Sequence, residues 1–273
     1  MSSDCIIVQT HIPDYDIHGR LTAMQKHDIL SYSVALLRGG NKDAYIILTG
    51  HGMRPCPDTL DYCDFVYWEN SCRPLSSAGI VDGMPAQYFF VSMGLKQAKA
   101  MGFERCLKTR GDCVIGKANI CKYCDAVLDA EKKELLITQQ TSGSSFQMGD
   151  CFMYGNTDLM DRIWDKNNPV LHSEDGLMNT GMNFYKTITG ITPIKFNPKE
   201  WCGLLRKHCS FRDVRTLGYA DIRWNYHNID MKEDFNFKKW QWGKTNKWVV
   251  FDGLGNMTYM RHHFSERTFY GCG

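Results

Sequence analysis

Four short runs of mainly apolar, β-branched and aromatic residues constrain the fold of this chain more than any other feature. Each run leads into polar residues or glycine. Uninterrupted runs of this kind are typical of strands that are buried on both faces of a parallel sheet. Amphipathic patterns predict helices over about 21–37 and 86–101, in the order strand, helix, strand, strand, helix, strand. The sequence therefore predicts an α/β fold with a mainly parallel central sheet flanked by helices. The four runs are residues 5–8, 44–48, 64–68 and the strand start 106–107.

The pattern weakens after residue 116, but further elements can still be predicted. Asn156 is a candidate cap for a helix that reaches about Trp164, and Ser173 is a candidate cap for another that reaches about Tyr185. Two short apolar runs near the end of the chain, joined across glycines, predict a β-hairpin. The predicted strands are 134–138, one within 148–155, 191–196, and the hairpin pair 249–251 and 257–260.

Length and composition indicate a globular protein with a full core. The chain has 273 residues, of which 43% are hydrophobic and 23% are charged, and this length fits one large domain or one domain with an appendage. Its formal net charge is only +2, and the sequence has no basic stripe. We therefore expect no nucleic-acid partner, and an acidic ligand would have to be bound by a few local charges.

Twelve cysteines are scattered along the chain, and Cys121 and Cys124 form its C-x-x-C pair. No second pair follows at a spacing typical of a zinc site, so we expect no structural zinc. The sequence shows no secretory leader and no apolar run near the length of about 18 residues that a membrane span needs. We expect a cytoplasmic protein with reduced thiols, which leaves peripheral contact with a membrane open.

The segment 106–116 reads C-L-K-T-R-G-D-C-V-I-G and carries the densest chemistry in the chain. Three charged residues surround one glycine, and such charges are too costly to bury unpaired within a strand. They are therefore expected at the carboxyl end of the strand, where open α/β sheets bind ligands. Asp112 offers oxygen ligands to a divalent cation, whereas Lys108 and Arg110 can pair with phosphate or hold the aspartate in place. The simpler alternative is an ion pair at the end of a strand.

Several segments, in this order, resemble the nucleotide-sugar side of GT-A glycosyltransferases and are most similar to the WavE-like lipopolysaccharide-synthesis family. The family pattern has an R-Q helix start, a G-L helix middle, a K-x-R-x-D strand end and an S-D-x-F-x-x-G strand. An acidic residue after a proline corresponds best to Glu174. The resemblance covers about residues 5–185, and the matching segments are P-A-Q at 85–87, G-L-K at 94–96, L-K-T-R-G-D at 107–112 and G-D-C-F-M-Y-G at 149–155.

The resemblance implies a GT-A-like, Rossmann-related domain that spans residues 1–273. Residues 1 to about 116 would form the half that binds the nucleotide sugar, and residues from about 117 to 273 the half that binds the acceptor. The implied reaction transfers a sugar from a nucleotide-diphosphate sugar to a hydroxyl of a glycan or glycolipid. UDP is the expected nucleotide, because it is the commonest among GT-A enzymes.

The implied donor contacts begin with Gln87 at the helix start. Lys108 and Arg110 are candidates to meet the diphosphate. The family's arginine before the glutamine is replaced by Ala86 in this chain.

The resemblance also implies a divalent cation, Mn²⁺ or Mg²⁺, with Asp112 as its carboxylate. Arg110 stands where the first aspartate of the usual Asp-x-Asp would be, so another ligand or water has to complete the site. His262 or His263 could supply a late metal ligand or a diphosphate contact, although paired histidines near a terminus are more often surface residues.

The nucleoside is expected beside the carboxyl end of the first strand, because strand ends face the ligand crevice. Gln9, Thr10 and His11 follow the first apolar run, and Asp64 begins the third. We therefore expect these four residues to contact the nucleoside.

A base must take the proton of the acceptor hydroxyl, and the chain offers carboxylates in its second half. Glu174 and Asp175 are adjacent at a predicted helix start and point about 100° apart, so only one of them can face the reacting carbon. Asp175 is slightly favoured, and Asp150 is the alternative. A separate base favours inversion of the anomeric configuration. The simpler alternatives are that Glu174 and Asp175 are first-turn acids that favour the helix dipole and that Asp150 is a turn residue before a strand.

Two other functions remain open at this point. A sugar-phosphate nucleotidyltransferase would need a glycine-rich loop after the first strand, and residues 9–13 do not form one. A non-catalytic glycan-binding module with a decayed donor site is the other alternative. Ala86 and the missing first aspartate favour it slightly.

Overall fold

The structure is a computed structural model. It describes residues 4–12, 23–70, 84–138, 140–141, 146, 148, 151–167, 180–194, 197–212, 214–221, 247–251 and 257–261.

The first half of the described chain alternates strands and helices as the sequence predicts. The first two strands run further than their apolar cores, so that the polar residues after each core still belong to the strand. The elements are β1 Cys5–Ile12, α1 Ala23–Gly40, β2 Tyr45–Gly52, α2 Pro57–Asp61, β3 Phe65–Glu69, α3 Met84–Ala100, β4 Arg105–Arg110 and β5 Cys113–Ile115.

The second half adds shorter strands and four helices among the described residues. The 3₁₀ helix η1 and the strands around it are short. The elements are α4 Ile120–Glu131, β6 Leu135–Ile137, β7 Gln140–Thr141, β8 Phe152–Asn156, α5 Thr157–Ile163, α6 Thr180–Thr189, α7 Pro198–His208, β9 Cys209–Phe211, η1 Val214–Leu217, β10 Tyr219–Asp221, β11 Lys247–Phe251 and β12 Met257–Arg261.

Seven strands form the central sheet in the order β3-β2-β1-β4-β8-β6-β9. The pairs β3/β2, β2/β1, β1/β4 and β6/β9 are parallel, and β8 runs antiparallel to both of its neighbours. The sheet is thus mainly parallel, which confirms the predicted α/β class. Two further sheets pair β5 with β10 and β7 with the hairpin β11/β12.

Alternation along the buried strands divides the core into two layers, one on each face of the sheet. Ile7 and Ile47 point into the layer that includes Leu95 of α3 and Phe184 of α6. The neighbouring residues of the same strands point to the opposite face, which α1 and α4 cover. The sheet is therefore buried on both faces, and ligands have access to it at strand ends.

In the second half, the structure corrects the strand predicted at 191–196 and adds a helix that was not predicted. Residues 191–194 form no strand, because Pro193 has no N–H to donate and Ile194 is 93% exposed. Weak periodicity also hid α7, which Asn197 caps and Pro198 opens. The predicted cap at Asn156 and the C-terminal hairpin are confirmed.

Nine cysteines among the described residues are free thiols. Cys121 and Cys124 lie buried on α4, and burial raises the pKa of both thiols. These two side chains therefore belong to the core. None of the helices in the described ranges is long and apolar enough to cross a membrane.

Candidate nucleotide site at the carboxyl edge of the sheet

The carboxyl ends of β1 and β4 lie side by side at the point where the strand order of the sheet reverses. The chain builds β1, β2 and β3 outward in one direction and then places β4 on the other side of β1. Gln9 is the register partner of Arg110, and the N–H of Gly111 donates to the carbonyl oxygen of Gln9 at 2.9 Å. Ligands of open α/β sheets bind in the crevice outside such a reversal. The structure therefore brings the ends of the two predicted motifs together.

The three polar residues at the end of β1 do not share one face of the sheet. Because side chains alternate along a strand, Gln9 and His11 point to the α3 face, whereas Thr10 points to the α1 face. Thr10 is only 8% exposed and packs against Gly111. The side chain of Thr10 is therefore part of the packing, and the contact of residues 9–11 with a nucleoside stays a prediction.

Gln9 is buried on the α3 face with 7% exposure. Its Oε1 atom accepts no hydrogen bond from the part of the chain that the structure describes. A buried acceptor that lacks a donor is unfavourable by about 1–3 kcal/mol, so such an atom marks a place where a ligand N–H or O–H would be stabilising.

A stack of three rings lies beside Gln9 and was not predicted from the sequence. The rings of His11 and His51 are 4.2 Å apart and nearly parallel, and the ring of Phe90 lies 4.9 Å from that of His51. His51 and Phe90 are buried, and His11 is half-buried at the outer end of the stack. The stack gives this edge a flat, rigid surface.

Burial, with smaller contributions from the neighbouring His51, Lys26 and Arg110 in that order, lowers the pKa of His11 to about 3. His11 is therefore uncharged at neutral pH. The positive charges of Lys26 and Arg110 both act on this ring.

The side chains of Arg110 and Asp112 form a bidentate ion pair across Gly111. Nε of Arg110 donates to Oδ1 of Asp112, and Nη2 donates to Oδ2, both at 2.9 Å. The two side chains are 23% and 14% exposed, so water screens the pair only partly. The thiol of Cys113 also lies 3.6 Å from Oδ1 of Asp112.

Lys108 lies two residues before Arg110 on the same face of β4 and is fully buried. Its Nζ lies 4.6 Å from the centre of the Trp164 ring. Tyr88 packs on the same ring, and its hydroxyl accepts a hydrogen bond from Nδ2 of Asn183 at 2.6 Å. The structure thus places Lys108 beneath the crevice, in contact with an aromatic ring.

Gln87 lies in the first turn of α3 and is 5% exposed. It precedes Phe90 by three residues, so the two side chains share one helix face. Because Phe90 stacks on His51 at the end of β2, Gln87 lies one turn beyond the strand ends. This position is consistent with its predicted place beside the crevice.

Asp64 lies at the opposite end of the sheet from the other predicted nucleoside contacts. It precedes β3, its N–H donates to the carbonyl of Ile46, and its Oδ2 accepts from the N–H of Ile46. Arg38 forms an ion pair with the same carboxylate at 2.5 Å. Since β3 is parallel to β1, its start and the end of β1 lie at opposite edges, about 13 Å apart along the strands. The expectation that Asp64 lies at the same edge as residues 9–11 is therefore corrected, and its contact with a nucleoside stays a prediction.

The five other predicted site residues lie outside the described residues. The candidate bases Asp150, Glu174 and Asp175 and the histidines His262 and His263 stay sequence predictions.

Sequence reasoning missed His51 and Glu69, although a signal was available. Both follow apolar runs just as His11 does, and register makes His51 the neighbour of His11 in β1 and of Glu69 in β3. Oε1 of Glu69 accepts from the hydroxyl of Tyr67 at 3.1 Å. Aligning the polar residues that follow each apolar run would have placed His11, His51 and Glu69 in one row across the sheet.

The described residues do not by themselves fit a divalent cation at Asp112. Both carboxylate oxygens accept hydrogen bonds from Arg110, and the guanidinium would repel a cation that approached the same oxygens. Among the described residues, no group of three His, Cys, Asp or Glu side chains is placed to hold a metal ion. The expected site of Mn²⁺ or Mg²⁺ is therefore not formed by these residues alone.

No protein-family model and no curated protein sequence matches the chain. Solved structures that are similar to it include glycosyltransferases and nucleotidyltransferases. One is a glycosyltransferase involved in the glycosylation of the major capsid of PBCV-1, with 11% identity, a TM-score of 0.39, and coverage of 77% of this chain and 82% of that one. Another is 4-diphosphocytidyl-2C-methyl-D-erythritol synthase from Anaerococcus prevotii, with 14% identity, a TM-score of 0.40, and coverage of 77% and 87%. A third is TarS from S. aureus, with 11% identity, a TM-score of 0.42, and coverage of 74% and 38%.

Proposed function

We propose that this protein is a glycosyltransferase that moves a sugar from a nucleotide-diphosphate sugar, with UDP as the nucleotide, to a hydroxyl of a glycan acceptor. The observation that carries the proposal is the strand edge where the ends of β1 and β4 lie side by side. This edge combines the guanidinium of Arg110, which pairs with Asp112, with the ring of His11 and with Oε1 of Gln9, which accepts no hydrogen bond from the described residues. Together these groups can bind an anionic group, a polar ring edge and a flat ring.

The proposal includes membership of the WavE-like family, and the positions of the motifs support it. Gln87 lies at the start of α3, and Gly94 and Leu95 lie in its middle. The K-T-R-G-D motif ends β4, and Phe152 to Gly155 lie within β8, which pairs with β4. The motifs therefore belong to elements that meet in one sheet.

The rival nucleotidyltransferase function is less well supported. Such an enzyme needs a phosphate-binding loop directly after the first strand. Here β1 continues as a strand to Ile12, whose carbonyl accepts from the N–H of Met53 at 2.8 Å. Residues 9–12 are thus paired with their neighbours and form no loop.

We propose that the transfer inverts the anomeric configuration, with Asp175, Glu174 or Asp150 as the base. A base of this kind takes the proton of the acceptor hydroxyl as the bond to the departing nucleotide breaks. The cationic end of β4 would stabilise the leaving diphosphate.

The test uses the purified protein and two substrate mixtures. With a panel of nucleotide-diphosphate sugars, a glycosyltransferase releases nucleoside diphosphate, slowly to water and faster to a suitable glycan. With sugar 1-phosphates and nucleoside triphosphates, a nucleotidyltransferase releases pyrophosphate. We expect release of nucleoside diphosphate by the wild type and by Lys42→Gln, a matched control at an exposed lysine outside the crevice. Pyrophosphate release, or glycan binding without turnover of any donor, would overturn the proposal.

A further inference from the structure

We propose that Asp112 is a positioning residue that fixes the guanidinium of Arg110 toward the donor diphosphate, and that binding of the donor needs no divalent cation at Asp112. This inference rests on the proposed function, because it concerns how the same crevice binds its anionic ligand.

The geometry of the ion pair carries the inference. Nε and Nη2 of Arg110 bind the two oxygens of Asp112 in the parallel, two-bond arrangement that fixes the plane of a guanidinium. Both residues are at the strand end, and the N–H of Gly111 between them donates a hydrogen bond to the carbonyl oxygen of Gln9. The aspartate thus orients Arg110 from one side, at the edge where ligands bind.

The chemistry of a guanidinium allows it to bind two anions at once. It carries five N–H groups in a planar fork, so a carboxylate and a phosphate can bind different edges of the same group. A cation at Asp112 would have to compete with a bidentate partner, whereas a diphosphate would add to it. The pair therefore favours an anion over a metal ion.

The charges around the crevice support the same conclusion. Lys26 and Arg110 both act electrostatically on His11, which lies at the end of the adjacent strand. Positive charges that act at this edge favour a diphosphate over a divalent ion.

The experiment is calorimetric titration of UDP and of uridine into the wild-type protein, in EDTA and in MnCl₂. We expect the Kd for UDP to agree within about threefold between the two buffers. UDP binding that appears in MnCl₂ and is lost in EDTA would overturn the inference and leave the proposed function intact. Absence of UDP binding in both buffers, repeated with other nucleoside diphosphates, would instead count against the proposed function.

Three variants separate positioning from a general structural role. Arg110→Gln should weaken UDP binding by about 10-fold or more and leave uridine binding unchanged, because uridine lacks the diphosphate. Asp112→Asn keeps one acceptor and should weaken UDP binding less, by the same factor in EDTA and in MnCl₂. Arg110→Lys keeps the charge and should restore part of the loss. Lys42→Gln is the control for removal of one positive charge and should bind UDP like the wild type.

The affinity of Arg110→Gln for UDP decides whether Arg110 binds the diphosphate. Unfolding curves monitored by circular dichroism show whether each variant is folded. If a variant does not fold, the comparison of UDP binding by the wild type in EDTA and in MnCl₂ still tests the inference. If Arg110→Gln is folded and binds UDP as tightly as the wild type, Arg110 does not meet the diphosphate and the inference is wrong.

Discussion

Gly111 shows how one residue controls the geometry of the crevice. A Cβ added to it would lie 2.7 Å from Cδ1 of Leu30 and 2.7 Å from Cβ and Oγ1 of Thr10. Cβ contacts this short essentially do not occur in real proteins, so β1, α1 or the turn at Gly111 would have to move. The glycine is therefore required by close packing, and the packing fixes where Arg110 and Asp112 stand.

We expect Gly111→Ala to lower the free energy of unfolding by about 1–3 kcal/mol, because it overpacks the contact with Thr10. It should also weaken binding of UDP, since the ion pair shifts with the turn. Gly39→Ala is the matched control: Gly39 lies in α1, and its added Cβ meets nothing within 4 Å. That control should gain about 0.5–1 kcal/mol from helix propensity. Urea unfolding near neutral pH measures both, and equal stability of Gly111→Ala and wild type would contradict the packing argument.

At the scale of elements, α3 is held against the sheet by a residue that sequence reasoning recognised only as part of a motif. A Cβ on Gly94 would lie 2.6 Å from Cγ2 of Ile7 in β1. The glycine of the G-L pair thus lets the helix approach the sheet closely. The close approach brings Phe90 onto His51 and places Gln87 beyond the strand ends.

Helix α7 illustrates a different balance, because a local signal defines its start and tertiary packing stabilises it. Oδ1 of Asn197 accepts from the N–H groups of Lys199 at 3.1 Å and Glu200 at 3.3 Å. The helix buries Trp201 against the rings of Phe146 and Phe184. Both contributions are needed, since a helix of this length is marginal in water.

We expect Asn197→Ala to lower the free energy of unfolding by about 1 kcal/mol, because two N–H groups at the helix start lose their acceptor. Asn197→Asp keeps an acceptor and adds a negative charge that favours the helix N-terminus, so it should be close to the wild type. Thermal unfolding followed by circular dichroism compares the two variants. Loss of the same stability in both would show that the side-chain cap contributes nothing.

At the scale of the whole molecule, the buried stack at the strand ends couples stability to pH. Burial holds the pKa of His11 at about 3 in the folded protein, whereas an unfolded histidine has a pKa of 6.5. Between these values the unfolded chain binds more protons than the folded one. The free energy of unfolding therefore rises with pH in this window, and the stability is lost as the pH falls from about 6.5 toward 3.

We expect His11→Gln to remove this contribution. The difference in unfolding free energy between wild type and variant should be constant above about pH 7 and should change below it, by at most about 1.4 kcal/mol per pH unit. In this difference, the contributions of the other titrating groups to the unfolding free energy cancel. Chemical denaturation at several pH values measures it, and a difference that stays flat down to about pH 5 would show that His11 titrates normally in the folded protein.

Local sequence patterns account for the strands and helices in the first half of the chain and for the charged motif at the end of β4. Short apolar runs such as Cys5 to Val8 can be satisfied only by burial on both faces of a sheet, so the strands and their parallel pairing follow from local composition. The charges of Lys108, Arg110 and Asp112 had to lie at a strand end for the same reason. In the second half, the apolar residues of 191–196 predicted a strand that residues 191–194 do not form, and weak periodicity hid α7.

Which of these residues lie next to each other depends on the arrangement of the strands in the folded sheet. Strand order put the end of β4 beside β1, and the parallel direction of β3 sent Asp64 to the opposite edge, where it pairs with Arg38. Register joined His51 to His11, and alternation turned Thr10 away from both. These outcomes depend on partners far apart in sequence, and a strand's composition specifies its burial without specifying its neighbours.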